Sequence, residues 1–302
     1  MHAALRLHGE LRPLRDPTLI AAFAGWTDVG GSAVATIQHL VEQWDATELA
    51  DIDPEPFYDF TVQRPRVRLQ DGERVLDWPS NRFYVARPEG ADRDFVLLAG
   101  VEPSLRWQTF TDVIADLMRE VGASTSVMLN AHPGSVPHTR PTTVNLSASH
   151  PDFEQIFGLQ SPASRYQGPV GIVSVLNLHH RSQEWRNALL SAVVPHYLTL
   201  GPNPNVAIAL VQLLDRAFHT STSIEPLNER AREYEEQVRE MMERSSEAAD
   251  YVRQLEEQYD SSQSPLPDPG EGGPAQDTEL PSSEDLIGDL ERFLRERREG
   301  DA

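Results

Sequence analysis

Three short stretches carry the residue types and spacings best suited to chemistry. The first, Gly25-Trp26-Thr27-Asp28-Val29-Gly30-Gly31-Ser32, has the glycine spacing of a phosphate-binding loop between a predicted strand and a predicted helix. Gly31 stands where that loop carries its lysine, which excludes a nucleoside triphosphatase. Backbone N–H groups at a helix N-terminus would still hold an anion, and the alternative is that the glycines only serve a tight turn and close packing. The second stretch, His132 to Pro141, puts His138 and Arg140 on one loop, a pair able to bind an anion or orient a base. Its spacing matches no zinc signature. The third supplies Glu102, just past a predicted strand, and a bracing pair of Arg140 with Glu102 or Asp28 is an equally physical use of these charges. Together Gly25, Trp26, Asp28, Gly30, Gly31, Glu102, His138 and Arg140 form a candidate ligand-binding cleft. No catalytic residue is assigned, because G-x-S-x-G, S-x-x-K and H-E-x-x-H are all missing.

Composition narrows the chemistry further. The chain has 302 residues, 39% hydrophobic and 24% charged, enough for one large domain or two small ones. All 26 basic residues are arginine. Without lysine there is no Schiff base, no pyridoxal anchor and no lysine on a transferred phosphate. Without cysteine there is no thiol nucleophile, thiolate zinc site or disulfide. Neither cofactor nor metal is expected. The net charge of −21 argues against a nucleic-acid partner. The first twenty residues lack an apolar signal-like core and no run is long enough to span a bilayer, so a cytoplasmic protein without membrane attachment is expected.

The elements that must position these residues follow from periodicity. Short apolar runs alternate with helical segments, the pattern of an α/β domain with a mostly parallel sheet. Strands are predicted at Thr18 to Ala24, Phe57 to Val62, Arg82 to Ala86, Phe95 to Ala99, Ser126 to Asn130 and Val170 to Leu176. The last of these would place Asn177, His179 and His180 at a strand end. A hairpin is predicted around Gln70-Asp71-Gly72-Glu73. Helices are predicted at Ser32 to Trp44, Ser104 to Val121, Ser182 to Val194 and, opened by Asn203-Pro204, to about Phe218. Pro195-His196-Tyr197 reads as a turn ending a helix. In such a sheet, loops leaving the carboxyl ends of parallel strands gather on one edge, where ligands bind.

Residues 225–302 carry 23 acidic and 9 basic side chains, against 24 and 17 in the preceding body. The body is expected to be 1–225. From 226 to 260, Leu227, Ala231, Tyr234, Val238, Met241, Ser245, Ala248, Val252, Leu255 and Tyr259 keep a heptad spacing, which predicts one long helix zipped to neighbouring helices. A disordered linker is expected at 261–281, and a short amphipathic helix at 282–302 around Leu286, Ile287, Leu290, Phe293 and Leu294.

Six motifs in order then carry a resemblance. Gly25-Trp26-x-Asp28-x-Gly30, Arg87-Pro88, Gly100-Val101-Glu102-Pro103-x-x-x-Trp107, Pro137-His138-Thr139-Arg140-Pro141, Tyr166-x-Gly168-Pro169-x-Gly171 and Pro195-His196-Tyr197 resemble the proteasome assembly chaperone 2 family in its actinobacterial form. The resemblance covers about residues 15 to 260. It implies a three-layer α/β/α domain like nucleoside phosphorylases and peptidyl-tRNA hydrolases, with a C-terminal helical extension, and it implies self-association. In eukaryotic relatives it implies chaperoning of proteasome α-subunits, partly through a terminal hydrophobic-tyrosine-any tripeptide. Gly300-Asp301-Ala302 does not match that tripeptide, so docking by that route is not expected.

Two functions follow as expectations. One is a self-associating assembly protein, a trimer or a multiple of it, with proteasome subunits as partners. The alternative is a hydrolase or phosphorylase acting on a small anionic or nucleoside-like ligand at the strand-end cleft, with Asp28 or His138 as base and Arg140 holding the anion.

Overall fold

The computed structural model describes residues 2–9, 12–198, 200–243 and 246–263. Its strands are β1 (Leu5–Leu7), β2 (Thr18–Ala24), β3 (Thr47–Ile52), β4 (Arg66–Gln70), β5 (Glu73–Asp77), β6 (Asn81–Ala86), β7 (Phe95–Val101), β8 (Thr125–Gly134), β9 (Val144–Ala148) and β10 (Arg186–Pro195). Its helices are α1 (Ser32–Gln43), α2 (Trp107–Val121), α3 (Asp152–Phe157), α4 (Ile172–Ser182), α5 (Pro204–Phe218), α6 (Glu225–Glu243) and α7 (Ser246–Gln263).

Eight strands form one sheet in the order β1-β3-β6-β7-β2-β8-β10-β9, while β4 and β5 form a separate ribbon. The centre of the sheet, β7-β2-β8-β10, is parallel, and antiparallel strands close both margins. The continuous apolar run of β2 is what such a position demands. Ile20 and Ala22 point into the layer of α1, α3 and α5, and Leu19, Ala21 and Phe23 into the layer of α2 and α4. The expected α/β/α architecture, mostly parallel in its sheet, is therefore present. The helix stops and starts follow the same logic. Gly122 ends α2 in the left-handed region, and the Asn203 side chain accepts from the Asn205 N–H at 3.0 Å to open α5.

Two predicted elements exchange type. Val170 to Leu176 is not a strand: α4 begins at Ile172, and Ile172, Val173 and Leu176 turn one helical face to the core. Asn177, His179 and His180 are consequently helical residues, with no strand end beneath them. Ser182 to Val194 is not a helix: β10 occupies Arg186–Pro195, with Ala188, Leu190, Ala192 and Val194 on one face at a period of two. Pro195-His196-Tyr197 thus ends a strand. Phe57 to Val62 is turn, with Phe57 and Tyr58 buried as single knobs, and β3 was not foreseen.

The heptad segment is described as two helices, α6 and α7. Its stripe is covered by its own chain: Leu227 joins the core beside α5, and Tyr234 and Val238 pack on Leu198. Helix α7 buries Val252 and Leu255. At these positions the stripe packs on its own chain. Helix α7 reaches Gln263, into the expected linker; the rest of that linker and the helix expected at 282–302 lie outside the described residues. No described helix is long and apolar enough to cross a membrane.

Candidate functional site

The eight residues selected from sequence separate into two groups. Gly25, Trp26, Asp28, Gly30, Gly31 and Glu102 surround the carboxyl ends of β2 and β7. His138 and Arg140 lie on the loop after β8, and their hydrogen bonds go to Tyr197 and to α7.

In the first group the anion site is already filled by the protein. The Asp28 carboxylate accepts from the N–H groups of Ala33 at 2.7 Å and Val34 at 3.1 Å, so it occupies the N-terminus of α1. It is 4% exposed, and burial raises its pKa from 3.8 to about 6 against the pull of the backbone donors Ala33, Val34 and Ser32. An external phosphate would meet this charge where the loop would otherwise bind it. Gly30 and Gly31 both have positive φ, at 64° and 77°, in the turn that carries Asp28 into α1.

Glu102 is the second node. One oxygen accepts from the Trp26 N–H at 3.2 Å and the other from the Ile172 N–H at 2.8 Å, so the side chain ties the loop after β2 to the first turn of α4. Its own backbone is held by Gln63, whose amide donates to the Glu102 carbonyl at 3.3 Å. The expected partner for Arg140 is thus engaged elsewhere. Replacing Glu102 by Ala leaves two N–H groups without an acceptor. We expect a loss of about 2 kcal/mol in urea unfolding and looser protection of the Trp26 and Ile172 amides in hydrogen exchange. Two atoms at these strand ends, Thr27 Oγ1 and Asn130 Oδ1, are buried without a hydrogen-bond partner among the described residues.

In the second group the Tyr197 hydroxyl accepts from the His138 N–H at 2.9 Å and lies 2.7 Å from His138 Nδ1. Burial lowers the His138 pKa and pushes Tyr197 up to about 12, so a neutral imidazole faces a neutral phenol. Arg140 grips Asp260 with two parallel bonds, Nε at 2.8 Å and Nη2 at 2.6 Å, and reaches Glu256 at 3.3 Å. These carboxylates hold its guanidinium above its ordinary pKa. Thr139 also donates to Glu256, and the Tyr251 hydroxyl lies 3.2 Å from His196 Nε2. The loop is thereby a seat for α7, and a cavity of about 870 Å³ lies between it, α5, α6 and α7. Sequence reading missed Tyr197, Tyr251, Glu256 and Asp260 as partners. The i, i+4 spacing of Glu256 and Asp260 on one helix face was the available signal.

Of the helical residues once placed at a strand end, His180 is fully buried. Its Nδ1 lies 2.9 Å from Ser126 Oγ, and burial pushes its pKa down to about 3. That pair is sealed in the core between α4 and β8 and is not open to a substrate. Among the described residues no group of three or more His, Asp or Glu side chains is placed to hold a metal.

The description of the PAC2 family matches residues 22–242. The chain belongs to the PAC2 family. Relatives of known structure agree with this. A PAC2 family protein from Streptomyces avermitilis is 36% identical with a TM-score of 0.71, over 78% of this chain and 100% of its own. A Mycobacterium tuberculosis proteasome-assembly chaperone homologue is also 36% identical, with a TM-score of 0.70, over 78% of this chain and 99% of its own. Pyrococcus furiosus PbaB, an archaeal proteasome activator, shares the fold at 17% identity and a TM-score of 0.64, over 78% of this chain and 97% of its own. No curated protein matches the chain. Within this PAC2 chain, four of the six quoted motifs coincide with structural nodes: the Asp28 turn, Glu102, the Arg140 loop and the end of β10.

Proposed function

We propose that this PAC2 chain is a cytoplasmic, self-associating assembly factor that acts by protein contacts and aids the building of the proteasome. One observation carries the reading: each charged group of the candidate cleft is already committed within its own chain. Asp28 caps α1, Glu102 joins two loops, and Arg140 is bidentate to Asp260. Groups so engaged brace a rigid surface, whereas a phosphorylase or hydrolase needs them turned toward a ligand. The relative described as a proteasome-assembly chaperone homologue supports the choice of client.

The test is genetic and biochemical. Deleting the gene is expected to slow maturation of the proteasome core particle, and the purified chain to retain core-particle subunits or their precursors. Maturation at the normal rate in the deletion strain overturns the reading. So does phosphate-dependent cleavage of nucleosides by the purified chain that Asp28→Asn and Arg140→Ala both abolish while the fold persists.

A further inference from the structure

Both strands of the β4–β5 ribbon stand in solvent. Leu69 is 73% exposed and Val67 and Leu76 are also exposed, yet two strands alone are marginal in water. The register sorts the ribbon into two faces. Val67 is paired with Leu76, and Leu69 with Arg74, so these four share one side. Arg66, Arg68, Gln70, Glu73, Val75 and Asp77 fall on the other, where Arg68 binds Asp77 at 2.6 Å. One face is therefore mostly polar, with Arg68 and Asp77 paired on it, and the other leaves Val67, Leu69 and Leu76 uncovered beside Arg74.

The ribbon does not stand apart from the site. Its base is fixed by Trp78 against Phe60, with ring centroids 4.7 Å apart, and by Gln63, which bonds both the Glu102 carbonyl and Ser104. Glu102 in turn holds the segments that carry Trp26 and Val170, and Leu105 follows directly. Trp26 is 65% exposed, and Leu105 and Val170 are exposed with it. Val62 lies at the base beside Gln63, and Tyr166 joins the rim by donating its hydroxyl to the Pro169 carbonyl next to Val170. Among the described residues, nine of the eleven large exposed hydrophobics thus belong to this ribbon, its base and this rim; Leu178 and Tyr251 are the other two. Such concentration marks an interaction surface.

Charge indicates what covers it. Residues 62–78 carry four arginines against three acidic residues, in a chain whose net charge is −21. Arg64, Arg66 and Arg74 have no acidic partner among the described residues. An acidic protein with an apolar patch complements such a ribbon, and a second copy of this chain is one. It offers both the apolar rim and the excess of carboxylates. We infer that the apolar face of the β4–β5 ribbon of one copy lies on the Trp26–Leu105–Val170 rim of the next. This rests on the self-association in the reading above and gives it a surface.

Sedimentation velocity of the full chain over a range of concentrations tests it, using variants that leave the net charge alone. Leu69→Ser with Leu76→Ser disables the ribbon, and Trp26→Ala disables the rim. Each is expected to raise the dissociation constant about 100-fold or more, because truncating central anchors dominates such interfaces. Leu178→Ser, on α4, is expected to leave it unchanged. Mixing the ribbon and rim variants should recover complexes that neither forms alone, since each keeps the half the other lacks. None of these side chains lies in the buried core, and unaltered thermal midpoints will check folding. If the wild type associates and the ribbon variant associates equally, the surface is wrong and self-association stands. If the wild type is monomeric throughout, self-association and this surface fall together.

Discussion

Gly30→Ala is expected to destabilise the chain by about 3 kcal/mol in urea unfolding, whereas Gly31→Ala next to it costs about 1 kcal/mol. Both residues have positive φ, so an added methyl group brings similar backbone strain to either. They differ in what the methyl meets. At Gly31 there is open space, but at Gly30 a Cβ would stand 2.3 Å from the carbonyl oxygen of Gly201. That atom is backbone, so relief requires moving the segment that leads into α5. The segment has little freedom, because the Asn203 N–H donates to Ser32 Oγ at 3.0 Å and the Asn203 side chain opens α5. Helices α1 and α5 pack on each other through the core, so the displacement reaches Ile37, Leu40, Val206 and Leu210. Equal losses at the two glycines would show that the segment around Gly201 yields freely.

This contrast also marks how far sequence could reach. Glycine spacing identified the turn, but the function of each glycine depends on a carbonyl contributed from residue 201, which no local pattern encodes. The same holds for the fold. Strand β2 and helix α2 were legible because their apolar residues form an unbroken run in one case and recur every three to four in the other. The α4 and β10 segments misled because local preference opposed position. Ile172, Val173 and Val175 are β-branched residues in a helix, and the alanine- and leucine-rich β10 lies between β8 and β9, where burial on both faces outweighs helix propensity. In the site, the loop residues His138 and Arg140 were found, but their partners are distant in sequence: Tyr197 for His138, and, more than a hundred residues further on, Glu256 and Asp260 for Arg140. The heptad pattern gave the apolar stripe without specifying what covers it. A stripe specifies that something must cover it, and here α5 and Leu198 of the same chain do so.

The second large effect concerns Asp28 and pH. In the unfolded chain its carboxyl titrates near 3.8, and in the folded chain burial lifts it to about 6. The folded state therefore keeps the proton over a range in which the unfolded state has lost it. Stability contributed by this group is full below pH 3.8, falls as pH rises through the interval up to about 6, and is constant above it, for a total of about 3 kcal/mol. Subtracting the unfolding free energies of Asp28→Asn from those of the wild type isolates the group. The difference should decline between pH 4 and pH 6 and then level. The opposing force is identifiable: the N-terminus of α1 and the donors Ala33 and Val34 favour the charged carboxylate. If those donors outweigh burial, the difference will rise with pH across the same interval. The carboxylate would then be a net stabilising cap, and not a charge held in place at a cost by the turn that carries it.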